Sequence, residues 1–246
     1  MNMPVREPSA LQLNEIGRLA GIFWEPKPVY EDLAARPRWW TPLILSVFVS
    51  LAYLYAFSQR VGWERFLEQE FRTNSRLQQL SVEQQRTILA QQSKIVGITS
   101  YAGAVVGTAM VCLAVAAVFL FVFRSLAGAD FSFRQAFSIA VYSFLPNLLA
   151  SLLAIVVMFL ADPADFDLRN PLMLNAGWFV RSETAGTWIR TLAASIDLFT
   201  IWTMLLLALG FSVASRKLPY LKALGRVVAV WLVYVALKTG WTAITS

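Results

Sequence analysis

Apolar runs long enough to cross a bilayer alternate along the chain with polar connections. The runs fall at about 41–58, 97–123, 136–160, 191–214 and 223–244, and roughly 20 apolar residues are what a helix needs to span the hydrocarbon. This pattern predicts an all-α, polytopic integral membrane protein with five transmembrane helices. The central run, Phe131 to Leu160, has a polar lead with Arg134 and Gln135 and carries Pro146 in its middle, followed by Asn147. In water a helix-interior proline loses a hydrogen bond and clashes with the preceding turn. In a membrane, neighbouring helices and polar side chains satisfy the freed carbonyl, so the run reads as a central helix packed among others.

The polar connections carry their own helical signals. Residues 1–40 form an N-terminal cytoplasmic or interfacial segment. Ser9 and Gln12 make a capping-box pair, and Leu13, Ile16, Ala20 and Phe23 recur at helical spacing opposite Asn14, Glu15 and Arg18. The expectation is an N-terminal interfacial amphipathic helix, ended by Glu25-Pro26-Lys27-Pro28, then a second short helix from Val29 to Arg36. Arg36-Pro37-Arg38-Trp39-Trp40 suits the headgroup boundary. Such a segment either anchors the start of the first span or binds a partner.

Residues 41–246 form the membrane domain. From Val61 to Lys94 a polar stretch carries the apolar stripe Trp63, Phe66, Leu67 and Phe71, and Ser81 with Gln84 forms a second capping box. This predicts a helical excursion between spans 1 and 2 whose second arm continues into span 2. Within that span Gly103 and Gly107 stand four apart, a spacing that lets another helix approach closely. Gly128 offers the turn into span 3. After Leu160, Asp162, Asp165 and Asp167 lack the turn glycine and terminal glutamate of a calcium loop and read as a solvated acidic loop. The short runs Pro171–Leu174 and Ala176–Val180 read as interfacial, and Arg216-Lys217-Leu218-Pro219 is a tight basic turn between the last two spans.

Composition sharpens this picture. The chain is 57% apolar and only 15% charged, with mean hydropathy +0.57, the profile of a membrane protein. Its basic balance, with pI near 9.7, comes from residues at span ends, as the positive-inside rule requires, and does not point to nucleic acid. One cysteine, Cys112, and no histidine remove intramolecular disulfides, cysteine metal clusters and the commonest general base. No cofactor or catalytic constellation is expected, and the protein reads as no enzyme. The first forty residues show no cleavable signal pattern. Basic residues tight against span ends, Arg124, Arg134, Arg216, Lys217, Lys222 and Arg226, predict a cytoplasmic N-terminus and an outward C-terminus.

Two charges lie within the predicted spans, Asp197 and Lys238. Counted from Pro219 they are about twenty-two and nineteen residues away on antiparallel helices, within about one turn of the same depth. They can form an intramembrane ion pair that fixes the hairpin's register, or a proton or substrate site. Tyr142, Ser143 and Asn147 are the polar groups of the third span, placed to hydrogen-bond across helices near Pro146.

Three stretches resemble the Yip domain proteins, the family named for interaction with Ypt and Rab GTPases, and in particular bacterial five-span members. They are Trp24-Glu25-Pro26-Lys27-Pro28-Val29-Tyr30-Glu31-Asp32-Leu33, then Gly128 with Phe131-Ser132-Phe133-Arg134-Gln135-Ala136 leading to Val141-Tyr142-Ser143-Phe144-Leu145-Pro146, and Ser195-Ile196-Asp197-Leu198-Phe199-Thr200-Ile201-Trp202 continuing to Leu209-Gly210. The resemblance implies a five-helix protein of the bacterial cytoplasmic membrane with a cytoplasmic N-terminus. Tyr142, Ser143, Pro146, Asn147 and Trp202 are the candidate polar and packing site. The long N-terminal region and the Asp-Leu-Tyr-Gly-Pro motif of eukaryotic relatives are missing, which counts against Rab-type GTPase binding. The expected partners are the lipid bilayer and other membrane proteins, or a second copy of the chain. The leading reading is a non-enzymatic, membrane-organising protein; the rival is a small transporter or permease component with a polar path near Asp197, Lys238 and Pro146.

Overall fold

The polar connections fold back onto the apolar runs instead of standing apart from them. The computed structural model describes residues 12–73, 81–163, 166, 170–180, 186–215 and 217–245; the expectations for Ser9, Asp165, Asp167 and Arg216 lie outside these. In chain order the helices are α1 (Glu15–Trp24), α2 (Pro26–Ala35), α3 (Trp40–Arg60), α4 (Trp63–Thr73), α5 (Val82–Ala127), α6 (Phe133–Ser143), α7 (Leu145–Leu160), α8 (Thr187–Ala194), α9 (Leu198–Ala214) and α10 (Tyr220–Thr245), with a 3-10 turn at Ala176–Phe179. No strand occurs among the described residues. Four helices are long and apolar enough to cross a membrane: α3, α5, α6 with α7 taken together, and α10. The fourth expected span contains α9, apolar but only 17 residues long.

Local chemistry sets the helix ends. At the start of α5 the Ser81 hydroxyl accepts from the Gln84 N–H at 3.3 Å, and the Gln84 side chain accepts from the Ser81 N–H at 3.0 Å, the reciprocal capping box expected there. The helix runs 46 residues without a break and stops at Gly128, whose φ of 59° is a left-handed conformation that side chains disfavour. A second reciprocal box, Ser132 with Gln135, opens α6. There the Gln135 amide also donates to the Ala34 carbonyl at 2.6 Å, so one cap ties α6 to the end of α2.

Two expected spans are broken. The central one divides at Phe144, and Pro146 sits in the first turn of α7, where its missing N–H would have had no helical partner anyway. The run Thr191 to Ala214 divides at Ser195–Asp197, because Asp197 takes an extended conformation and caps α9. The loop before α8 docks into this second break: Ala176 N–H donates to Ile196 O at 2.9 Å and Leu198 N–H to Leu174 O at 3.3 Å.

Helix packing follows these breaks. α9 lies against α2, α6, α7 and α10, α3 lies against α5 and α7, and α4 folds onto α5. Of the expected stripe on α4, Trp63 and Phe66 meet the end of α3, centred 4.9 and 6.1 Å from Phe57, and Leu67 is buried; the Phe71 side chain lies outside what the structure describes. Lipid tails are as apolar as leucine, so close packing, not water exclusion, holds such helices together. Gly210 shows how close: an added Cβ would stand 2.5 Å from Ile139 and 2.8 Å from the Tyr30 ring. Gly103 and Gly107 show the opposite, with nothing within 4 Å of an added Cβ. No described helix of this chain uses them for close approach.

The N-terminal helices depart most from expectation. α1 buries Arg18 and Ile22 and leaves Ile16 and Trp24 exposed. Arg18, which periodicity assigns to water, therefore points inward, while of the expected apolar face Leu13 and Phe23 pack against the core and Ile16 and Ala20 do not; Asn14, not Ser9, caps the helix by accepting from Gly17 N–H.

Candidate functional site at the junction of the N-terminal helices and the bundle

Arg18 faces inward because its partner lies there. Asp32, on α2, is as buried as Arg18, both side chains being 2% exposed, and the Arg18 Nη2 to Asp32 Oδ2 distance is 2.5 Å. The other Asp32 oxygen accepts from Arg36. Arg18 also reaches Glu15 at 3.3 Å, and Arg38 reaches the same Glu15 oxygen at 3.2 Å. The chain Arg36, Asp32, Arg18, Glu15, Arg38 joins α1, α2 and the approach to α3 through alternating charges. Two buried charges in contact are strongly coupled, since leaving either one alone would strand an unpaired ion. Tyr142 of α6, itself fully buried, stands in the field of Glu15, Arg18 and Asp32. Neither its hydroxyl nor Glu15 Oε2 has a partner at hydrogen-bond geometry among the described residues.

Two residues before Asp32 on α2, Tyr30 drives the contact into the bundle. Its ring packs on Gly210 and its hydroxyl shares a 2.7 Å hydrogen bond with the Ser143 hydroxyl. Burial pushes the Tyr30 phenol well above its ordinary range, an effect only partly offset by that hydrogen bond; Tyr30 therefore stays neutral and its contact is insensitive to ordinary pH. Around it Ile139, Phe123 and Phe211 are buried, and the Phe123 and Phe211 rings are 4.8 Å apart. Trp202 meets the other N-terminal helix, edge to face with Phe23 at 5.7 Å. Asn147 donates to the Thr203 hydroxyl at 3.1 Å and to the Phe144 carbonyl at 3.4 Å, joining α7 to α9 beside the Pro146 break.

The residues expected near Pro146 are thus brought together, but with different partners. Ser143 serves Tyr30, Asn147 serves Thr203, and Tyr142 faces the charged cluster. That cluster was absent from the sequence-based expectation for the site, and its one signal was the pairing of Asp32 with Arg36 one helical turn apart.

Asp197 and Lys238 lie at the far end of the bundle. Asp197 Oδ1 accepts from the N–H groups of Phe199 and Thr200, each at 2.9 Å, and Oδ2 accepts from the Thr200 hydroxyl. Lys238 Nζ stands 3.5 Å from Ser195 Oγ. The two charges border one cavity of about 450 Å³, yet no ion pair between them occurs among the described residues: Asp197 lies at a helix break and its lone pairs serve the cap. A second cavity of about 380 Å³, also reaching Asp197, is lined by Asn147, Ser151, Asn170 and Asn175. No group of three or more metal-binding side chains occurs among the described residues.

Residues 20–241 match the Yip1 domain family. No curated protein and no solved structure matches the chain. The three stretches that carry the resemblance meet at this junction, through Tyr30, Ser143 and Gly210.

Proposed function

The chain belongs to the Yip1 domain family and is a multi-pass membrane protein, and from that premise we propose that it works without catalysis, by associating with lipid and with other membrane proteins. The proposal includes a bacterial cytoplasmic membrane, five spans with α9 as the fourth, a cytoplasmic N-terminus and an outward C-terminus. One observation carries it. Buried Arg18, Asp32, Ser143 and Thr203 are engaged in joining helix to helix, whereas long apolar faces of α5 and α10, including Val106, Met110, Val233 and Leu237, are exposed. A surface of this kind is suited to lipid and to other transmembrane helices.

Cysteine crosslinking tests it. With Cys112 replaced by alanine and Gly103 by cysteine, crosslinking in native membranes should give a discrete adduct with a second copy or one other membrane protein, and Gly107→Leu should abolish it. Unchanged monomer at both glycine positions would remove α5 as an association face. A reporter fused after Ser246 should be active only outside the cytoplasm; cytoplasmic activity would overturn the orientation.

A further inference from the structure

α10 packs against α8 and α9 but makes no extensive contact with α5, and the cavity of about 450 Å³ lies between them. Its walls have a definite order. On α5, Val111, Val115 and Phe119 recur every four residues and make one apolar stripe. On α10, Val227 and Trp231 face them, and Lys238 closes the row. From Val227 to Lys238 the helix rises about 16 Å, close to half of the ~30 Å hydrocarbon thickness, which is one leaflet. Lys238 stands about 18 Å along α10 from Arg226, the last basic residue at the opposite end of the span, so it lies in the outward half, and its long side chain can carry the ammonium further toward the headgroups. The cavity is thus apolar along α5 and along α10 up to Tyr234, carries Asn147, Thr200 and Thr203 on its other walls, and has a cation on its outward side.

The charges at the mouth narrow the occupant further. Lys238 has no carboxylate partner among the described residues; its hydrogen bond is the long one to Ser195. Asp197 lines the same cavity and repels a second negative charge but attracts an ammonium. One cation and one anion at the mouth complement a zwitterionic headgroup better than an anionic one.

We propose that this cleft binds one aminophospholipid of the far leaflet, with its phosphate on Lys238, its ammonium toward Asp197 and one acyl chain between α5 and α10. The inference rests on the reading of the protein as one that associates with lipid, and it names the lipid.

Native mass spectrometry of the purified full chain tests it, with added phosphatidylethanolamine, phosphatidylglycerol or diacylglycerol of the same acyl chains. One phosphatidylethanolamine should be retained in preference to the other two. Lys238→Gln should weaken that retention about tenfold, the size expected for losing one charge-assisted hydrogen bond. Val115→Trp should weaken it by filling the slot, and Lys222→Gln, near the opposite end of α10, should leave it unchanged. Lys238 is exposed, so its replacement should not impair folding, which circular dichroism would check. Retention unchanged in Lys238→Gln, or equal retention of diacylglycerol or phosphatidylglycerol, would overturn the proposal. Crosslinking at Gly103 reads out independently, so loss of the lipid site and loss of the association reading are distinguishable.

Discussion

The two ends of the helix bundle solve the problem of burying polar groups in opposite ways. At the end that holds α1 and α2, charges are gathered inside, paired and sealed. Arg18 and Asp32 are each 2% exposed, and the interior beyond them is filled by Tyr30, Ile139, Phe123 and Phe211. At the far end, charges stand at helix breaks and borders of cavities: Asp197 caps α9, and Lys238 meets a hydroxyl at 3.5 Å and no carboxylate among the described residues. The difference lies in the source of the helices. The sealed end receives two short helices from outside the apolar runs, which bring their own counter-charges and a tyrosine to fill the gap. The far end has only broken spans and a docked loop, so its polar groups bond to exposed backbone and leave space. A transport path starting at Asp197 would run into the filled end.

The comparison breaks most sharply at Asp32. Asp32→Asn leaves Arg18 buried beside a neutral partner, and removing one member of a buried pair costs about 3–5 kcal/mol. Thermal unfolding in detergent should fall steeply, and limited proteolysis should release the N-terminal helices first. Joint replacement by Arg18→Met and Asp32→Leu should recover most of the loss; equal losses would show that pairing is not what holds α1 to α2.

Gly210→Ala tests the fill around Tyr30. The new methyl would meet Ile139 and Tyr30, both nearly inaccessible and without room to withdraw. Overpacking of this kind costs about 1–3 kcal/mol, and Tyr30→Ala combined with it should relieve part of the cost. If Gly210→Ala unfolds at the wild-type temperature, the junction is looser than its geometry implies.

The smallest effect is expected at the far end. Asp197→Ala removes a helix cap, worth about 1 kcal/mol, whereas Asp197→Asn keeps an acceptor and should lose less. A loss in Asp197→Ala as large as that of Asp32→Asn would mean that the two ends are not built differently, and that Asp197 carries a charge interaction beyond its cap.

Much of the fold was legible in the chain itself. The apolar runs located the long helices, Ser81 with Gln84 marked the start of α5, Gly128 marked its end, and the stripe on α4 pointed to its packing face. The same rules that located the runs concealed their breaks. Ser195–Asp197 sits inside an otherwise apolar stretch, and the capping chemistry of Asp197 ahead of Thr200 was outweighed by the length of that run. The placement of Arg18 on α1 was misread because periodicity assigns a charged residue to water unless its partner is known.

What the sequence by itself determined was the long apolar helices and the capping box at Ser81, because each depends on residues close to one another along the chain. Only the tertiary structure decided which face of α1 turns inward and what fills the N-terminal end. The partners there, Arg18 with Asp32 and Tyr30 with Ser143, are 14 and 113 residues apart. A charge or hydroxyl chooses its side of a helix by the group that meets it across space, and that group is named only when the helices have packed.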